Sequence, residues 1–137
     1  MKALAIDLAA LGDTGPLWRD WLDDAGRRFR VDVTALDDEL PNWRRLLERF
    51  AEERAPVYIR RDADVGAALR SLQARGTRIG VFTDVPEELA RVVLSHLGAT
   101  ERIEALESGD GACERVLRRL GDGAAVVRTR RQLLAVT

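Results

Sequence analysis

Two periods alternate along this chain. Ala3–Leu8 (ALAIDL) is a continuous apolar run broken only by Asp7, the pattern of a strand buried on both faces of a parallel sheet. The turn residues of LGDTGP follow. Leu17, Trp18, Trp21, Leu22, Ala25 and Phe29 then recur at helical spacing, with Pro16 in the first turn. Val31–Asp38 is ambiguous between the two patterns. After Pro41 a second amphipathic helix aligns Trp43, Leu46, Leu47, Phe50 and Ala51 on one face, with the charged residues pointing away. That aromatic stripe is expected to be core.

From Asp62 the alternation becomes regular. Asp62 or Asp64 caps a helix whose face is Val65, Ala68, Leu69 and Leu72, and Gly76 ends it. Thr77–Thr83 predicts a buried strand. Pro86 opens a helix that Gly98 closes. Ile103–Leu106 predicts a weak strand, Ala112–Leu120 a helix stopped by Gly121, and Ala124–Val127 a last strand. Arg131–Val136 predicts a final helical turn or two. Strands alternating with helices imply an α/β, three-layer Rossmann-like domain with a short parallel sheet. The helices before Asp62 interrupt that rhythm as an insertion.

Length and charge narrow the picture. The 137 residues fit one domain, 1–137, and a formal net charge of -1 argues against bulk attraction to nucleic acid or an anionic membrane. No run approaches the ~20 apolar residues of a membrane span, and the N-terminus lacks a signal-peptide pattern, so a cytoplasmic location is expected. Lys2 is the only lysine among 22 Lys and Arg residues, so no internal position supplies an ammonium group. Cys113 is alone, which excludes an intramolecular disulfide and a zinc–cysteine cluster.

The stretch Asp64–Ala99, with Gly76, Thr83 and Leu97-Gly98, resembles the second motif region of the haloacid dehalogenase (HAD) superfamily. ALAIDLA is similar to the first motif, and ACERVLRRLGDGAAVV to the region joining the third and fourth. In this resemblance residues 16–60 stand where the family has its helical cap, in reduced form. The resemblance implies phosphoryl chemistry: an Asp nucleophile, a second Asp two positions on as acid and base, a Thr or Ser and a Lys for the phosphate, and further acids for Mg²⁺.

Carried over, the motifs are largely lost. Asp7 falls at the nucleophile position, but the acid/base position is Ala9. Asp13 and Asp84 are weak acid/base candidates. Thr83 is retained for phosphate binding. Glu107-Ser108-Gly109-Asp110 occupies the lysine region, and Arg128, Arg130 and Arg131 follow the last strand where the family has acids. Those arginines are expected to repel a divalent cation and to pair with Asp7. Neither a resident metal nor a cofactor is expected, with Mg²⁺ required only if the chain is an active hydrolase.

Three functions follow as expectations. The first is a degenerate HAD-like protein that binds a protein partner or an anionic small molecule through Thr83, Arg128, Arg130 and Arg131. The second is an active phosphohydrolase using Asp7 with Asp13 or Asp84. The third is a homo-oligomeric scaffold joined through exposed tryptophans, which are favoured at interfaces.

Overall fold

The computed structural model describes all residues, Met1–Thr137. Four strands, β1 (Ala3–Asp7), β2 (Arg78–Thr83), β3 (Ala105–Ser108) and β4 (Ala124–Val127), form one parallel sheet in the order β3-β2-β1-β4. The helices are α1 (Gly15–Phe29), α2 (Leu36–Glu39), α3 (Trp43–Tyr58), α4 (Ala63–Ala74), α5 (Glu87–His96), α6 (Ala112–Leu120) and α7 (Arg130–Ala135). No helix is long and apolar enough to cross a membrane.

The alternation of side chains along the strands separates the layers. Leu4, Ile6, Ile79 and Val81 face one way and join α4, α5 and α7 in a continuous core. Ala3, Ala5 and Phe82 face the other way, where α6 alone covers them with Ala112, Val116 and Leu120. Topology explains this asymmetry. The chain moves from β1 to β2 to β3 in one direction and then returns across the sheet to β4. A right-handed crossover on the return must lie on the opposite face.

The α6 face packs closely because the strand residues beneath it, Phe82 apart, are small. A Cβ built on Gly80 would lie 2.6 Å from Val116 Cγ1 and 3.2 Å from Leu120 Cδ1. Gly80 is therefore the contact that lets α6 settle onto β2.

The helix boundaries follow from local chemistry. The Asp62 carboxylate accepts the backbone N–H groups of Asp64 (3.0 Å) and Val65 (3.3 Å), capping α4. At its other end Gly76 takes φ 78°, and the Thr77 N–H returns to the Leu72 carbonyl. Thr129 and Gln132 close α7 with a reciprocal capping box.

Three expectations are adjusted. The ambiguous segment Val31–Asp38 holds a single 3-10 turn, capped by Asp32, that runs into α2. The third strand lies two residues later than Ile103–Leu106, because pairing with β2 sets Phe82 opposite Glu107 and Thr83 opposite Ser108. The last helix starts at Arg130, behind its Thr129 cap.

Residues 16–60 contribute to the same core as the sheet. Leu17, Trp21, Ala25, Trp43, Leu47 and Ala51 are continuous with Leu4 and Ile6. Trp18 stacks on Trp21 at 5.7 Å, and Trp43 tilts against both. Trp21 and Trp43 are buried. The tryptophan face imagined for self-association is thus mostly interior, and only Trp18 stays half-exposed.

Candidate functional site

In open parallel sheets, ligands bind beyond the carboxyl ends of the strands. Here those ends surround a recess of about 500 Å³ lined by residues from all four strand exits, among them Asp7, Ala9, Thr83, Asp84, Cys113 and Arg128. Asp110, at the mouth of α6, and Glu114, in its first turn, add two more carboxylates.

Asp7 ends β1 half-buried. Its Oδ1 accepts the Ala9 backbone N–H at 3.0 Å and so caps the 3-10 turn that follows. This is a local, self-contained turn that any Asp at a strand end can make. Contrary to expectation, no arginine pairs with Asp7. Arg130, which sequence order places close by, donates to Asp62 (2.7 Å) and Asp64 (3.1 Å) at the start of α4. The Arg130 hydrogen bond, with smaller help from the Val65 and Asp64 N–H groups, holds the Asp62 carboxyl below its ordinary range.

Arg128 takes a different course. Its guanidinium lies over the Phe82 ring at 5.2 Å, with Nη2 3.9 Å from Cys113 Sγ, and no carboxylate pairs with it. Arg131 is exposed. The three arginines expected to act together are therefore distributed, and Arg128 is the one that lines the recess.

Thr83 is buried at the end of β2, where its Oγ1 accepts the Val85 N–H at 3.2 Å. Asp84 is exposed beside it on the rim. Asp13 is elsewhere: its Oδ1 accepts the Gly15 N–H at 3.0 Å at the entry to α1, and it does not line the recess.

The stretch where the family lysine would stand is organised by two arginines instead. Arg115 donates to Glu107 Oε1 (2.9 Å) and to the carbonyls of Ser108 (2.5 Å) and Asp110 (2.5 Å), while Arg119 donates to Glu107 Oε2 (2.9 Å). The Arg115 hydrogen bond, seconded by that of Arg119, draws the Glu107 carboxyl below its ordinary range. Sequence reading missed this clamp, although the i, i+8 spacing from Glu107 across a loop into a helix was its one visible signal.

The Mg²⁺ that the HAD resemblance implies finds a poor donor set. No three His, Cys, Asp or Glu side chains converge to hold a metal ion, and the position two residues beyond Asp7 is a methyl group. The residues present do not fit the ion.

No protein-family model and no curated protein sequence matches the chain. Among solved structures it is similar to the "putative beta-phosphoglucomutase from Thermotoga maritima", with a TM-score of 0.59 and 21% identity over 92% of this chain and 75% of that one. The likeness is one of fold: a three-layer α/β architecture around a short parallel sheet.

Proposed function

We propose that this chain is a HAD-like binding protein without efficient phosphoester hydrolysis, and that its strand-end recess takes a small ligand through one anionic group seated on Arg128. The surroundings of Asp7 carry the first half of this reading. Its carboxylate has one hydrogen bond, from the Ala9 N–H, and Ala9 cannot donate or accept a proton in the role the family assigns there. Lack of general acid–base help forfeits ~10²–10⁴ in rate. A missing metal site removes charge stabilisation on the order of several kcal/mol more.

Arg128 supports the second half, as the unpaired guanidinium of the recess. Asp7, Asp84, Asp110 and Glu114 share the recess with it. Their field disfavours a polyanion, so a ligand with a single small anionic group and hydrogen-bond donors elsewhere suits the site. Residues 16–60, which stand where the family has its cap, are fused into the core and line no part of the recess.

One observation favours a second reading. Asp84 lines the same recess as Asp7 and Thr83, where it is available as an unconventional proton shuttle for hydrolysis. A phosphoester panel with Mg²⁺, run on the parent and on Asp7→Asn, separates the two. Background turnover in both proteins is expected. Hydrolysis well above background that disappears in Asp7→Asn would overturn the binding-protein reading. For the ligand half, calorimetric titration with acetate should show saturable binding that Arg128→Gln abolishes. Binding undiminished in Arg128→Gln would remove Arg128 from the site.

A further inference from the structure

A second pocket, of about 360 Å³, opens where α1, the 3-10 turn with α2, the start of α3 and the β2–α5 loop meet. Its walls include Trp18, Trp43 and Pro86, and its carboxylates are Asp37, Asp38 and Asp84. No basic side chain lines it. We propose that this pocket binds a small organic cation, an alkylammonium or quaternary ammonium group.

Three features point to that chemistry. First, the volume lies within the range of small-molecule sites, roughly 300–1,000 Å³. Second, the walls combine indole rings with carboxylates, the pairing that attracts a bulky, weakly hydrated cation through ring quadrupole and charge together. The Arg44 guanidinium already covers the buried Trp43, 4.3 Å from its ring centroid and paired with Glu88 at 2.9 Å, so the half-exposed Trp18 is the ring left to meet a guest. Third, the pocket's carboxylates are unclaimed by the many arginines of the chain. Asp37 accepts the Trp43 Nε1–H at 2.8 Å, and none of Asp37, Asp38 and Asp84 forms an ion pair.

The same geometry argues against a compact divalent ion. Asp37 and Asp38 are neighbours on α2 and Asp84 lies on the β2–α5 loop, and the three do not converge as a ligand set. A diffuse negative field over an apolar floor suits a cation whose charge is spread over methyl or methylene groups.

This site stands apart from the Arg128 reading, sharing only Asp84 with the recess. The test uses choline as probe and 3,3-dimethyl-1-butanol as its neutral isostere, followed by tryptophan fluorescence and calorimetry at matched ionic strength. Choline should give a saturable signal, and the neutral alcohol none at the same concentration. Asp38→Asn, an exposed position that does not threaten folding, should weaken choline by about threefold or more. Trp18→Leu should weaken it further, with circular dichroism confirming that the variant folds. Arg128→Gln should leave it unchanged, so failure here and failure of the anion reading are distinguishable. Equal responses to choline and its isostere, tighter binding of MgCl₂ than of choline, or indifference to Asp38→Asn would each overturn the proposal.

Discussion

Replacing Gly80 with Ala isolates the packing of α6 from everything else in the fold. Gly80 sits in the middle of β2 with no positive φ, so alanine is acceptable to the backbone and even restricts the unfolded chain, a gain of about 0.4–1 kcal/mol. Against that, the new methyl would stand 2.6 Å from Val116 Cγ1, far inside van der Waals contact. Val116 cannot easily yield. It is fully buried, and a valine in a helix has one strongly preferred rotamer. Moving α6 outward would strain its contacts with Ala3, Ala5 and Phe82. Overpacking of this kind costs about 1–3 kcal/mol, so a net loss of roughly 1–2 kcal/mol is expected by urea denaturation. Val116→Ala alone removes two buried carbons, at about 0.8 kcal/mol each plus a cavity cost. Combined, the two substitutions should be less destabilising than the sum of the single effects, because the methyl added at position 80 enters the space that the valine side chain vacates. A Gly80→Ala variant as stable as the parent, or strict additivity in the double variant, would refute the tight seating of α6.

The Asp62 cap predicts a pH signature. Asp62→Ala should cost about 1 kcal/mol through loss of the α4 cap, with the exposed Arg130 pair adding little. Because the folded carboxyl is held below its ordinary value of 3.8, its contribution is full above that value and disappears as pH falls through the depressed one. The gap in stability between parent and variant should therefore narrow below about pH 4 in acid titrations followed by circular dichroism. Trp21→Ala should cost about 3–5 kcal/mol in thermal or urea unfolding and should perturb the near-ultraviolet signal of Trp18 and Trp43, since all three rings are packed together. Loss of under about 1 kcal/mol would place the ring outside the core.

Most of the scaffold was legible because it is written in local signals. Asp62, Gly76, Pro86, Gly98 and Gly121 each mark a boundary through their own backbone chemistry. The helix Ala112–Leu120 lies where its apolar spacing put it. The third strand was displaced because Glu107 and Ser108 are polar, and only pairing with β2 makes them strand. The site was less legible for a related reason. Asp7, Thr83 and Asp84 could be placed at strand ends, but the fate of Arg130 depends on Asp62 and Asp64, far back along the chain. The aromatic–acidic pocket was invisible because Trp18, Asp38 and Asp84 belong to three separate segments, and no period connects them.

The Arg115 clamp has a consequence for how the strand-end recess could adapt to a guest. The connection from β3 to α6 contains Gly109 and Gly111, a sequence that would normally give a pliant hinge. Arg115 fastens that connection on both sides, at the Ser108 and Asp110 carbonyls, while its carboxylate partner Glu107 is fixed again by Arg119. This wall is preorganised: a guest meets it already in shape and loses little entropy by ordering it. Induced fit is left to the rest of the lining, where Asp84 and Arg128 are exposed.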